Sequence, residues 1–228
     1  MNIAIIPARG GSKRIRKKNI KSFFGKPMIS YSIEVVKKSK LFDRIIISTD
    51  DSETIDIAKK CGAEIPFIRP NELSGDHVGT NDVMEHAVKF IMSDRPNLTA
   101  VCCIYPTVPL LMKEDLIKGF QLFNSGKWQF VFSATKYSYS VFRSFTKNEK
   151  GSLKMLYPQH WNSNSQDLEE VMHDAGQFYW GSPKAWLNKE LRYNDHTTVI
   201  ELPNWRVQDI NTLEDWHEAE KKYEILNK

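Results

Sequence analysis

Ile3-Ala-Ile-Ile-Pro-Ala-Arg9-Gly10-Gly11-Ser12-Lys13-Arg14-Ile-Arg16-Lys17-Lys18-Asn19 is a short apolar run, then a glycine pair, then a dense cluster of cations. Asn2 to Ile6 reads as a buried strand, and Pro7, which has no N–H for a sheet ladder, ends it. Gly10 and Gly11 permit a sharp turn and a close approach of backbone to ligand. Eight Lys or Arg residues fall between Arg9 and Lys26 with no acid among them, and the first acidic residue is Glu34. A buried strand feeding a Gly-rich basic loop predicts a polyphosphate site, with backbone N–H groups as an anion nest and side chains neutralising charge. The plain alternative is a solvated basic surface. The order strand, glycine pair, cations favours the ligand. The loop has neither the Walker A spacing nor a G-x-G-x-x-G fingerprint.

Around this stretch, 228 residues predict one α/β domain with a small insertion. Hydrophobic and charged fractions of 41% and 26% are those of a globular protein. The net charge of +4 is uneven: without the eight early cations, 24 basic residues face 28 acidic ones. A single concentrated patch suits a small polyanion, and a nucleic-acid binder would spread its charge. Cys102 and Cys103 lie in an apolar run and read as core thiols, so a reducing cytoplasm is expected. No leader is expected, since the chain enters a strand at once. No apolar run approaches the ~20 residues of a membrane helix.

Along the chain, Pro27 fits the first turn of a helix running to about Lys40. Arg44 to Thr49 reads as a strand, Ser52 to Cys61 as a helix with Gly62 at its C-cap, and Ile65 to Ile68 as a short strand. Thr80 reads as the N-cap of a helix to Ser93, with Val83, Ala87, Val88, Phe90 and Ile91 buried. Thr99 to Tyr105 is a continuous apolar run and predicts a central strand, broken by Pro106. A helix over Lys113 to Phe123 and a strand over Phe130 to Ala134 follow. Alternating strands and helices predict β-α-β units on a parallel sheet, with ligands outside the carboxyl ends of the strands. The basic loop, Ser48 to Asp51 and Tyr105 to Thr107 all fall there. From about 137 to 180 the pattern changes. Val141 to Phe145 alternates like a hairpin, and Gln177 to Trp180 reads as an aromatic strand outside the parallel sheet. So small an insertion cannot bury its own core and is expected to pack on a second subunit. Thr198 to Leu202 and Val207 to Ile210 read as a return to the sheet, and Thr212 to Leu226 as the last helix.

Ile5-Ile-Pro-Ala-Arg-Gly-Gly-Ser-Lys13 with Lys18-Asn19 resembles the signature of the CMP-sugar synthetases that activate sialic acids. The resemblance implies a single domain over 1–228 with a mainly parallel, Rossmann-like sheet of the nucleotide-diphospho-sugar transferase type, and about 137–180 as a dimerisation and sugar-binding insertion. It implies that Ala8, Arg9, Gly10, Gly11, Ser12, Lys18 and Asn19 hold the nucleotide and triphosphate. Arg69 and Thr80 resemble the family's second nucleotide-contacting segment. For Thr80 a simple helix cap is a strong competitor, and for Arg16 and Lys17 plain surface charge is at least as good a reading. Arg16 stands where the family has proline.

Tyr105-Pro-Thr-Val-Pro-Leu110 resembles the family's Gln-Pro-Thr-Ser-Pro-Leu loop, with Tyr105 in place of a sugar-contacting Gln. That argues against ordinary sialic acid. His173-Asp-Ala-Gly-Gln-Phe-Tyr-Trp-Gly181, with Ser165 to Glu169 before it, is similar to the segment of pseudaminic acid cytidylyltransferases. It implies Tyr105, Gln166, Asp174, Gln177 and Tyr179 as sugar contacts. Arg206 to Trp216 resembles the closing Asp-x-Asp element that holds Mg²⁺. Here the pair is Asp209 and Asn211, and an amide ligates without charge. The i, i+2 spacing on an extended segment puts both side chains on one face.

The family supplies an Arg to the sugar carboxylate, yet none occurs between Arg143 and Arg192. Arg143 or a lysine could stand in. The expectation is therefore a CTP-dependent transfer of CMP to a nonulosonic acid, pseudaminic acid favoured, for bacterial surface or flagellar glycans. Arg9, Lys18 and Asp209 would be catalytic, Mg²⁺ the cofactor, the protein a cytoplasmic homodimer, and neither nucleic acid nor membrane a partner. Sialic, legionaminic and Kdo-type acids are the other substrates, and a non-catalytic nucleotide-binding homologue is the rival class.

Overall fold

The computed structural model describes residues 1–188 and 193–228. Arg192 lies outside them. In chain order the elements are β1 (Asn2–Pro7), β2 (Ser22–Phe23), β3 (Lys26–Pro27), α1 (Met28–Ser39), β4 (Arg44–Ser48), α2 (Ser52–Lys60) and α3 (Thr80–Asp94). There follow β5 (Ala100–Ile104), α4 (Lys113–Asn124), β6 (Phe130–Lys136), β7 (Phe145–Lys147) and β8 (Leu153–Met155). The last are β9 (Met172–Gly181), α5 (Pro183–Leu187), β10 (Thr197–Glu201) and α6 (Leu213–Leu226).

The main sheet runs β10-β6-β9-β5-β1-β4. β1 pairs in parallel with β4 and β5, and β6 in parallel with β10. β9 is antiparallel to both its neighbours. Ala4 and Ile6 of β1 enter the core cluster with α1, α2 and α4, while Ile3 and Ile5 enter the one with α3 and α5. With both faces covered, Ile3 to Ile6 of β1 and all of β5 are apolar without alternation, and Cys102 and Cys103 are fully buried. A smaller core joins Ile15, Phe23, Met28, Tyr31, Ile210 and Trp216. Phe23 meets Trp216 edge-on at 5.4 Å. This patch pins α6 and the segment before it against the foot of the basic loop.

The mainly parallel sheet expected from the sequence is present, and several local readings are corrected. Ile65 to Ile68 is not a strand: Glu64 makes one isolated bridge to Ile46, and Pro66 removes the next donor. Gln177 to Trp180 lies inside the main sheet, as part of β9, so the segment standing outside it is 137–171. The hairpin is β7–β8 rather than Val141 to Phe145, because the turn sits at Asn148–Gly151, with Gly151 at φ 85°. Val207 to Ile210 does not pair in the sheet; the chain turns at Asn204–Arg206 and crosses the strand ends in extended form. Gly79, not Thr80, is the N-cap of α3, and Phe90 is 41% exposed, its ring tilted against Phe67 at 4.9 Å.

Candidate active site

The carboxyl ends of β1, β4, β5 and β6 lie on one edge, where β9 begins. Segment 137–171 leaves from β6 and returns to β9 there. Along this edge runs an open cleft of about 410 Å³, lined by Pro7, Arg9, Ser12, Arg14, Lys18, Asn19, Thr80, Tyr105, Pro106, Thr107, Asp209 and Asn211. Residues from four distant parts of the sequence thus share one space of the size that small ligands fill.

The basic loop is held from below. Ala8 is fully buried and extends the strand by donating to the Ser48 carbonyl, 2.9 Å. Asn19, also buried, donates through Nδ2 to the Arg9 carbonyl, 2.9 Å, and accepts from the Ile29 N–H, 2.8 Å. The Gly10 N–H donates to Asp50 Oδ1, 2.8 Å, and the Ser12 N–H to the Gly10 carbonyl, 2.9 Å. These two amides are spent inside the protein, so side-chain cations carry the cleft's positive charge. A side chain at Gly10 would place its Cβ 2.7 Å from Asp51 Cβ, whereas Gly11 faces open space.

The cations divide by partner. Lys17, in the left-handed region at φ 52°, pairs with Glu53 of α2, away from the cleft. Lys13 and Arg9 share Asp76, Arg9 at 2.9 Å. Lys18 Nζ donates to the Ile210 carbonyl, 2.5 Å, tying the loop to the segment that carries Asp209. Burial lowers the Lys18 pKa, Asp209 opposes this, and Arg14 and Arg9 reinforce it. Arg14, unassigned by sequence reading, reaches Asn211 Oδ1 at 2.8 Å.

Arg69 does not line the cleft. It is buried under β4, donating to Ser48 Oγ at 3.0 Å and to the Ser48 carbonyl, and burial brings its pKa down to about 10. Thr80 Oγ1 shares a 2.9 Å hydrogen bond with the Tyr105 hydroxyl, so this first helical residue faces the ligand space. Behind Tyr105 stands Tyr179, ring centroids 5.5 Å apart, whose hydroxyl donates to the Asp174 carboxylate at 2.8 Å. Gln177 is buried, with Nε2 on the Arg206 carbonyl, 2.9 Å. Gln166 is exposed on the 137–171 segment, away from the cleft residues, and Arg143 is engaged with the Ser163 carbonyl.

Asp209 and Asn211 do face one another: Asn211 Nδ2 donates to Asp209 Oδ2, 2.5 Å. Among the described residues no cluster of three His, Cys, Asp or Glu side chains could hold a metal. One carboxylate beside an amide fits only a hard cation that draws most of its oxygen ligands from elsewhere, as Mg²⁺ does from phosphates.

The sequence model for cytidylyltransferases matches residues 3–200. The chain belongs to the cytidylyltransferase family. Over 224 residues this cytidylyltransferase is 42% identical to the pseudaminic acid cytidylyltransferase of Campylobacter jejuni subsp. jejuni serotype O:2, covering 98% of this chain and 97% of that one. It is 27% identical over 234 residues to the CMP-N,N'-diacetyllegionaminic acid synthase of Legionella pneumophila, covering 98% and 96%. In fold it is similar to a CMP:2-keto-3-deoxy-manno-octonic acid synthetase solved with CTP, at a TM-score of 0.71 and 14% identity, covering 96% and 97%.

Two features of the site escaped sequence reading. The Asp115–Arg206 pair joins positions 91 apart and has no local signature. Asp76 sits in a polar loop and resembles any surface acid. Arg14 was visible as one of eight cations, and nothing in its spacing set it apart.

Proposed function

We propose that this cytidylyltransferase transfers CMP from CTP to pseudaminic acid, releasing pyrophosphate. The observation that carries this reading is the convergence of Arg9, Lys18, Thr80, Tyr105 and Asp209 on one cleft at the strand ends, in a chain alike over nearly its whole length to a pseudaminic acid cytidylyltransferase. The anomeric hydroxyl forms a bond to the α-phosphorus as the bond to the β-phosphate oxygen breaks. Arg9 and Lys18 bind and neutralise the triphosphate, and Thr80 reads the pyrimidine. The Tyr105–Tyr179–Asp174 array orients the sugar. Catalysis is positioning and charge neutralisation. Mg²⁺ would be held by Asp209 and the phosphates, where it supplies positive charge to the leaving pyrophosphate.

The reading includes a cytoplasmic homodimer. No helix among the described residues is long and apolar enough to cross a membrane. Segment 137–171 exposes Tyr139, Phe145, Leu153, Leu156 and Trp161, with Tyr139 89% and Trp161 72% exposed. A second subunit would cover these residues and bring Gln166 toward a site. The test is pyrophosphate release with each of the four NTPs against a panel of nonulosonic acids. CTP with pseudaminic acid should give the highest kcat/KM. Equal turnover with UTP or ATP, or preference for sialic or legionaminic acid, overturns it.

A further inference from the structure

We infer that Arg14 is a further residue of the polyphosphate site and acts as a unit with Asn211. The inference rests on the cytidylyltransferase reading of the cleft. Arg14 Nη2 donates to Asn211 Oδ1 at 2.8 Å, and Asn211 Nδ2 donates to Asp209 Oδ2 at 2.5 Å. These two bonds fix the amide. Turned over, it would set N–H groups against the guanidinium and an oxygen against the carboxylate. The backbone is fixed as well, because the Asn211 N–H donates to Asp215 Oδ2, 2.9 Å, in the capping box of α6. Residue 211 therefore links a cation to Asp209 through one rigid amide.

This arrangement gives the asparagine a purpose. An aspartate at 211 would press one carboxylate on another, a contact that needs a cation between them or a proton on one. With asparagine the contact closes using the protein's own groups. Arg14 meanwhile has spent only part of its donor fork. It is exposed and lines the cleft beside Arg9, Ser12 and Lys18. The next residue, Ile15, is buried with Ile210, so loop and carboxylate segment are clamped below while Arg14 and Asn211 meet above. A guanidinium so held can offer its remaining N–H groups to a phosphate oxygen, the geometry that arginine serves better than lysine. Positive charge is thus in place at Asp209 before any metal arrives.

The experiment is calorimetric binding of inorganic tripolyphosphate, of CTP and of UTP to the full chain in chelator. It uses the wild type, Arg14→Ala, Arg14→Lys, Asn211→Ala and the double alanine variant, with Tm measured for each. Arg14→Ala should weaken tripolyphosphate about tenfold or more, the size of a charge-assisted contact. Arg14→Lys should recover only part of that. Asn211→Ala should weaken binding in the same direction, and the double variant no further than Arg14→Ala. Unchanged affinity in Arg14→Ala, or losses that multiply in the double variant, overturns the unit. Tripolyphosphate binding with this pattern, but no preference of the protein for CTP over UTP, leaves the unit standing and removes the cytidine reading. CTP bound tightly with no effect of Arg14 does the reverse.

Discussion

Arg206 and Asp115, 91 positions apart, meet in a buried two-bonded ion pair, at 2.7 and 3.1 Å. Asp115 also accepts from the Met112 N–H at the start of α4, and the Arg206 carbonyl holds Gln177 of β9. The pair therefore fixes a helix end, a central strand and the turn three residues before Asp209. Removing one partner leaves a buried charge alone, which costs about 3–5 kcal/mol, whereas apolar replacement of both is often near neutral. Asp115→Ala should lower the urea midpoint sharply with an unchanged slope, and Asp115→Leu with Arg206→Met should recover much of it. A single variant as stable as wild type removes the clamp.

The glycine pair of the basic loop should behave asymmetrically. Gly10→Ala must push Asp51 aside, and Asp51 also caps α2 through the Thr54 N–H at 2.9 Å. Gly11→Ala meets open space and no positive φ. Gly10→Ala should reduce both Tm and CTP affinity, while Gly11→Ala stays within about 1 kcal/mol of wild type, as residues away from packed features do. Thermal melts with and without CTP separate the two. Equal losses would show that both glycines serve the ligand rather than the turn.

Arg9→Ala removes a guanidinium that faces the cleft and is paired with the exposed Asp76. A charge-assisted contact of about 1.5–3 kcal/mol corresponds to roughly tenfold to a hundredfold in kcat/KM for CTP. The same contact loosened in the transition state adds to this. Steady-state kinetics with the fold checked by circular dichroism decides the matter, and an unchanged kcat/KM removes Arg9 from the site.

Much of this was legible in the sequence because it rests on local rules. The apolar run of β1, the glycines and the cations sit within 20 positions and follow from strand, turn and charge chemistry alone, although Pro7 does not end the strand: it pairs with Ser48, and Ala8 carries the ladder one residue further. The parallel sheet followed from alternating periods. What stayed hidden was non-local. β9 carries an aromatic strand that fits an outside hairpin as well as a sheet interior, and only its pairing with β5 and β6 decides. Val207 to Ile210 is apolar only at its two ends; Ile210 joins the small core around Phe23, Val207 packs with Ala175 and Leu202, and neither pairs in the sheet. Arg69 looked like a ligand contact by resemblance and lies buried against Ser48. Within the site, residue type pointed to phosphate chemistry, while the partner of each cation depended on groups brought in from elsewhere: Glu53 for Lys17, Asp76 for Arg9 and Lys13, the Ile210 carbonyl for Lys18 and Asn211 for Arg14.

Segment 137–171 presents too much exposed aromatic and aliphatic surface for a two-stranded hairpin to remain unpartnered. Light scattering at micromolar concentration should return twice the chain mass. Trp161→Asp with Leu153→Asp should shift the protein toward monomer and reduce kcat for sugar activation more than CTP affinity, because the cleft proposed for CTP is lined by residues of one chain. A wild-type monomer with full activity overturns the dimer.

The last prediction concerns Mg²⁺ and Asn211. In the present arrangement the amide oxygen is taken by Arg14 and the amide N–H by Asp209. Any Mg²⁺ would therefore rely on Asp209 and the triphosphate. Asn211→Asp adds a second carboxylate on the same face, and Mg²⁺ prefers anionic oxygen. It also places two carboxylates together, a repulsion that a divalent cation relieves. Both effects act in one direction on metal affinity. The Mg²⁺ concentration for half-maximal rate should fall in Asn211→Asp by about tenfold or more at fixed CTP, in keeping with one restored charged contact. In chelator the same variant should bind CTP more weakly than wild type, since the extra negative charge takes up the Arg14 guanidinium and no divalent cation offsets it against the triphosphate. The measurement is rate against Mg²⁺ for both proteins, with CTP affinity in chelator alongside. Coincident curves would show that residue 211 does not touch the metal, and tighter metal-free binding by Asn211→Asp would show that the cleft does not receive the triphosphate at this point.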